Sequence, residues 1–114
     1  MKLLRPKVAV SYSLLIVSFL FCFSAFSQNK TIYLVRHAKS SHDNPELVDF
    51  DRPLAKTGHS DAKMMAQLMK KKGIKVDLFL ASPSKRTQQT ARYFIESMAE
   101  QGQQLNLDSS IYRC

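Results

Sequence analysis

Residues Thr31–Ser40 have the sequence T-I-Y-L-V-R-H-A-K-S, which changes character at its midpoint. Residues 31–35 are β-branched, aromatic and aliphatic and carry no charge, which predicts a short strand buried on both faces. Arg36 and His37 follow directly, so this strand would deliver a guanidinium and an imidazole to its carboxyl end. Ligands of open α/β sheets bind at that edge. The arginine can hold an oxyanion, and the histidine can act as a nucleophile or proton carrier.

A second basic segment repeats this arrangement further along the chain. Residues 77–81 form another largely apolar run, after which Ser82-Pro83-Ser84 begins a helix with Arg86 in its first turn. A right-handed crossover between the two strands would bring Arg36, His37 and Arg86 into one pocket. Two arginines and a helix N-terminus facing a histidine suit a phosphoryl group. On spacing alone, a surface Arg86 and a hydrogen-bonded core His37 fit equally well.

The rest of the pattern predicts alternating helices and strands. A first helix begins at Thr57 or Ser60, either of which could cap it, and ends at Gly73. A second helix follows Ser84 and ends at Gly102, and a third strand starts near residue 105. The apolar positions expected to face the core are Ala62, Met65, Leu68 and Met69 in the first helix and Ala91, Phe94, Ile95 and Met98 in the second. This order is typical of an α/β fold with a mainly parallel sheet.

The N-terminus has the layout of a secretory signal peptide. Residues 1–7 are basic, residues 8–26 carry no charge, and Ala25-Phe26-Ser27 provides a small-x-small cleavage pattern. We therefore expect a signal peptide over residues 1–27, a mature domain over residues 28–114, and a periplasmic or secreted location. The apolar run also reaches the length of a membrane span. An uncleaved anchor, with a basic face meeting anionic lipid, is the alternative.

Composition limits the chemistry that this chain can perform. With 114 residues and a net charge of +8, the chain forms at most one small domain, and its basicity suits an anionic substrate. Aromatic residues are not interleaved with the basic ones, so we expect no nucleic-acid partner. His37, His42 and His59 have no metal-ligand spacing around them, and no glycine-rich phosphate loop is present. We expect neither metal nor cofactor, and composition does not determine the oligomeric state.

Three blocks of sequence resemble one known family. They are residues 33–40, residues 51–54 with Gly58 after them, and residues 81–90. In this order and at these separations they are similar to the histidine phosphatase (phosphoglycerate mutase-like) superfamily, with the small SixA-like phosphohistidine phosphatases as the most similar branch. The resemblance implies a three-layer αβα fold with a mainly parallel sheet.

The resemblance also implies roles for individual residues. His37 would be the nucleophile, forming a phosphohistidine enzyme that water hydrolyses, while Arg36 and Arg86 would bind the phosphoryl oxygens. Arg52, Ser40 and Ser82 are expected to contact the substrate. That substrate would be a small phosphorylated molecule or a protein that carries phosphohistidine.

Members of this family carry further groups that fall beyond Cys114. These are a second histidine after a later strand and, in many members, an acidic proton donor. We therefore expect the chain to be the N-terminal portion of a larger phosphatase, with impaired activity as it stands. The alternative is a non-catalytic phosphate-binding or interaction domain.

Overall fold

The computed structural model describes Tyr12, residues 16–18 and residues 28–112. Most of the segment predicted to be a signal peptide or anchor lies outside these residues. Among those described, no helix combines the length and apolar character needed to cross a bilayer. The chain divides into two compact units, Met1–Tyr33 and Leu34–Cys114, and the second contains the helices and strands described below.

Two helices and two strands make up the regular structure of this unit. Helix α1 covers Lys56–Lys71, strand β1 Phe79–Ala81, helix α2 Lys85–Met98 and strand β2 Leu105–Leu107, with 3-10 turns at Asp49–Asp51 and Ser109–Ile111. β1 and β2 pair in parallel, with Phe79 opposite Leu105 and Ala81 opposite Leu107. The predicted α/β class with a parallel sheet is confirmed, and both predicted downstream strands are present.

The first predicted strand is absent, which corrects the expectation for residues 31–35. These residues adopt no regular structure, and Leu34 is 93% exposed. The only ladder among the described residues joins β1 to β2. An apolar, β-branched composition marks a segment for burial, but a strand forms only where a neighbour accepts its backbone hydrogen bonds. The apolar composition of residues 31–35 therefore did not predict their conformation, because they form no strand and are exposed.

The core lies where both helices pack against the sheet. Ala66, Phe79 and Phe94 form its buried centre, with Met69, Met98 and Leu105 packed around them. The stripe predicted for α1 is partly wrong, because Met65 and Leu68 are 46% and 43% exposed. α1 instead buries the small residues Gly58, Ala62 and Ala66 at four-residue spacing. Small side chains let α1 approach its neighbours closely. The buried residues of α1 are therefore its small ones and not its most hydrophobic ones.

The end of α1 agrees with the prediction, but α2 ends at Met98 because Ala99 is already extended, so the prediction that Gly102 ends this helix is wrong. Gly73 adopts a φ of 72° after α1, and its N–H donates to the carbonyl of Lys70 at 2.9 Å, as the predicted left-handed cap requires. The N-cap of α1 is Ala55, without a side-chain bond, so capping by Thr57 or Ser60 is wrong. Ser84 does occupy the N-cap of α2, but its hydroxyl bonds the Thr87 hydroxyl rather than a backbone N–H.

Candidate active site

His37 lies against the guanidinium of Arg86 in a defined orientation. Its Nδ1 is 2.8 Å from the carbonyl oxygen of Ala38, and its Nε2 is 3.2 Å from Arg86 Nε. A carbonyl can only accept and a guanidinium can only donate. Nδ1 must therefore carry the proton of the neutral imidazole, and Nε2 presents its lone pair to Arg86. This is the tautomer that a nucleophilic Nε2 requires.

The contact between His37 and Arg86 depends on one buried hydroxyl. Thr90, 5% exposed, lies one turn after Arg86 on α2 and donates to the Arg86 carbonyl at 2.8 Å. The hydroxyl oxygen of Thr90 also accepts a hydrogen bond from the N–H of Ala38 at 3.1 Å. Since Ala38 directly follows the histidine, this hydroxyl fixes the backbone of the site to the helix that carries the arginine.

The backbone after Ala38 is held by the segment that leads into α1. Ser40 and Leu54 form an isolated antiparallel bridge, and the N–H of Ala55 donates to the Lys39 carbonyl at 2.8 Å. The N–H of Leu54 in turn donates to Gln89 Oε1 of α2 at 2.7 Å. Residues 38–41 are thus anchored on both sides, which gives the histidine a rigid support although no strand precedes it.

Asp49 completes the hydrogen bonding of Arg86. Arg86 Nη2 donates to Asp49 Oδ2 at 2.9 Å, and Arg86 Nη1 donates to the Asp49 backbone carbonyl. The Tyr112 hydroxyl also donates to Oδ2, at 3.0 Å. The bond from Arg86 lowers the pKa of Asp49, the bond from Tyr112 lowers it further, and partial desolvation opposes them. Asp49 is consequently an anion at neutral pH.

The structure brings some of the predicted site residues together and leaves others apart. Arg52 Nη1 lies 3.7 Å from Asp49 Oδ1, at the margin of the site. Arg36 is exposed and forms no hydrogen bond or ion pair with any residue that the structure describes. Ser82 is buried, with its hydroxyl 3.2 Å from that of Ser84 in the turn before α2. Ser40 is half-buried, and its backbone forms the bridge to Leu54.

Sequence reasoning assigned no role to Asp49, Thr90 or Gln89. Thr90 carried a signal, since it stands four residues after Arg86 and so shares a helical face with it. Residues 38–56 show no hydrophobic periodicity and contain four acids, Asp43, Glu46, Asp49 and Asp51. Only the fold shows that Asp49 is the one that contacts Arg86. Among the described residues, no group of three or more histidine, cysteine or acidic side chains could hold a metal ion.

An open cleft of about 400 Å³ lies beside the first turns of α2. Phe50 and Lys85 line it, and these residues directly follow Asp49 and precede Arg86 in the chain. The cleft thus lies beside chain neighbours of Asp49 and Arg86, although His37, Asp49 and Arg86 do not themselves line it. Its other lining residues are Asp51, Pro83, Gln88, Gln89 and Arg92.

The fold and this arrangement agree with the family comparison. The model of the histidine phosphatase superfamily (branch 1) matches residues 32–109. The chain therefore belongs to the histidine phosphatase superfamily.

Individual relatives support this assignment over part of their length. An uncharacterised chloroplastic protein of Arabidopsis thaliana is 42% identical over 66 residues, which is 58% of this chain and 30% of that protein. A 2,3-bisphosphoglycerate-dependent phosphoglycerate mutase of Bartonella bacilliformis is 32% identical over 84 residues, covering 72% of this chain and 41% of the mutase.

A solved structure shows the same fold. It is a candidate phosphohistidine phosphatase SixA from Agrobacterium tumefaciens, which superposes with a TM-score of 0.62 at 30% identity, over 69% of this chain and 50% of that one. The chain thus spans half or less of the length of each of these three proteins.

Proposed function

We propose that this protein is a phosphatase that hydrolyses a phosphomonoester or a phosphohistidine through a phosphohistidine intermediate on His37. The observation that supports this most directly is the orientation of the imidazole. The carbonyl of Ala38 holds the proton on Nδ1, and Nε2 faces a guanidinium. This tautomer puts a lone pair on the atom that would attack phosphorus, next to a guanidinium that could bind the phosphoryl oxygens.

In the first step, the Arg86 Nε–H turns from His37 Nε2 to a phosphoryl oxygen, and the freed Nε2 lone pair attacks phosphorus in line with the leaving group. An N–P bond forms, the bond from phosphorus to the substrate oxygen or nitrogen breaks, and the leaving group takes the bonding pair and a proton from water. The imidazole becomes a phosphorylated cation that keeps its proton on Nδ1 and donates it to the Ala38 carbonyl. That hydrogen bond stabilises the positive charge as it develops.

In the second step, water attacks phosphorus and the N–P bond breaks. Inorganic phosphate leaves, the electron pair returns to Nε2, and the neutral imidazole is restored. Arg86 would bind equatorial oxygens in both steps, since phosphoryl transfer depends mainly on positioning and on cationic donors. Arg36 would supply the second guanidinium, and no existing bond to a described residue has to break for its side chain to turn.

We infer that the substrate carries its leaving group in the cleft beside α2. Lys85 and Arg92 make that cleft partly cationic, Phe50 adds an aromatic surface, and the opening accommodates either a small molecule or a protein side chain. Arg52, Ser40 and Ser82 are proposed to contact the substrate. The N-terminal sequence supports action outside the cytoplasm. Reduced turnover by this chain remains a prediction.

Hydrolysis of p-nitrophenyl phosphate by the full 114-residue chain tests this function. His37→Ala is expected to lower kcat by about 10³-fold or more, as loss of a nucleophile does. His59→Ala is the matched control, because His59 bonds the Tyr93 hydroxyl about two turns along α2 from Arg86 and makes no bond to His37 or Arg86. Radiolabelled phosphoramidate should label the wild type with an acid-labile, base-stable phosphate, and should not label His37→Ala.

The results of these assays distinguish a phosphatase from a non-catalytic phosphate-binding domain. Turnover that survives His37→Ala would exclude His37 as the nucleophile. Phosphate binding without turnover or labelling would favour the non-catalytic phosphate-binding domain instead. His37-dependent turnover and labelling together would establish the phosphatase.

A further inference from the structure

Each of the three nitrogens of the Arg86 guanidinium already donates to a protein acceptor. Nε donates to His37, and both terminal nitrogens donate to Asp49, one to its backbone oxygen and one to its carboxylate. The Arg86 side chain is only 13% exposed, so water cannot replace these partners easily. Three of the five guanidinium N–H groups are therefore engaged, including one on each terminal nitrogen.

A carboxylate on a guanidinium occupies the position that a phosphoryl group needs. Both anions place oxygens about 2.9 Å from the guanidinium nitrogens and bind along the same edge of the planar group. Arg86 cannot give the same terminal N–H groups to Asp49 and to phosphate at once. If a phosphoryl group binds the edge formed by the two terminal nitrogens of Arg86, then Asp49 has to leave that edge first.

Asp49 is held firmly enough to compete but remains displaceable. Tyr112 donates to its carboxylate at 3.0 Å, and the Tyr112 ring meets Phe50 edge-to-face at a centroid distance of 5.4 Å. The 3-10 turn Asp49–Asp51 contains no buried residue, and the Asp49 side chain is 38% exposed. Moving this turn would break few apolar contacts.

We propose that Asp49 is an internal anion that occupies the phosphoryl position of Arg86 and must be displaced by the substrate. The proposal rests on the proposed function, since it assigns the same arginine to phosphate. It makes Asp49 a specificity-determining residue. A dianionic phosphoryl group outcompetes the carboxylate, whereas a singly charged anion of similar size does not.

Calorimetric titration of the full chain with inorganic phosphate tests this assignment. Asp49→Asn removes the charge and keeps the shape, and it should tighten phosphate binding roughly tenfold, the factor expected from one competing charge-assisted hydrogen bond. Asp61→Asn is the matched control, because it changes the net charge equally at an exposed position of α1 and Asp61 makes no bond to Arg86. This control should bind phosphate like the wild type.

Two further variants keep the test decisive. Tyr112→Phe removes one bond that holds Asp49 and should tighten phosphate binding about twofold, even if Asp49→Asn folds poorly. Arg86→Ala should abolish binding. Suppose that Asp49→Asn binds phosphate no more tightly than the wild type, while Arg86→Ala does not bind it. This result would overturn the role of Asp49 but would still support Arg86 as the phosphate-binding residue. Binding that ignores Arg86→Ala, or no binding by any form, would overturn both.

Discussion

The carbonyl oxygen of Lys39 lies where a side chain on Gly58 would have to be. A Cβ built on Gly58 comes within 2.2 Å of that oxygen, although Gly58 sits in the first turn of α1 with an ordinary helical backbone. The same carbonyl accepts the N–H of Ala55. The glycine thus lets the segment after His37 cross the start of α1 in direct backbone contact.

Gly58→Ala should consequently destabilise the protein, against the usual trend for helices. Replacing glycine by alanine in a helix normally stabilises it by about 1 kcal/mol. Here the methyl group meets backbone that is tied on both sides, and overpacking of this kind costs about 1–3 kcal/mol. Urea unfolding would measure the change. Ser60→Ala, at an exposed position of α1, is the control, and an equal stabilisation of both variants would contradict the contact.

Thr90→Val should weaken the connection between His37 and α2. The substitution keeps the shape of the side chain but leaves the N–H of Ala38 without its acceptor, which costs about 1–3 kcal/mol when the group is buried. Loss of alignment should also lower kcat roughly tenfold or more. Paired unfolding and kinetic measurements would show both effects. Thr57→Val, on the exposed face of α1, should show neither.

The elements that could be predicted from the sequence are those whose ends are determined by nearby residues. Ser82-Pro83-Ser84 ends β1 and starts α2 because of its own backbone preferences, and Gly73 ends α1 by its left-handed φ. The strand predicted for residues 31–35 is absent, because a strand forms only when another segment of the chain pairs with it. The pairing of Asp49 with Arg86 spans 37 residues, and nothing in the aperiodic loop distinguishes Asp49 from its acidic neighbours.

The bond from Arg86 to Asp49 should make stability depend on acid pH. The folded-state pKa of Asp49 is lowered, chiefly by Arg86 and then by Tyr112, relative to the unfolded chain. Its contribution is therefore complete above the unfolded pKa of about 4 and is lost as pH falls through the lowered folded value. Urea unfolding should show the advantage of the wild type over Asp49→Asn shrinking in this range. An advantage independent of pH would exclude the ionised pair.

Expression with the intact N-terminus tests the predicted export. The basic start, uncharged run and small-x-small pattern predict cleavage before Gln28. N-terminal sequencing of the protein recovered from a secreting host should begin at Gln28. A chain that retains residues 1–27 and sediments with membranes would instead support the anchor.

The tautomer of His37 provides a test of the site that does not require turnover. Nitrogen NMR of the imidazoles distinguishes a protonated ring nitrogen from one with a lone pair. His37 should carry its proton on Nδ1, because that atom faces the Ala38 carbonyl, and should show Nε2 as an acceptor. His42, which is exposed and has no hydrogen-bond partner among the described residues, serves as the reference and should show a mixture of both forms. In Arg86→Ala, the proton of His37 should stay on Nδ1, since the carbonyl that holds it is unchanged. A His37 protonated on Nε2 in the neutral wild type would be unable to attack from that atom, and would remove the basis for assigning it as the nucleophile.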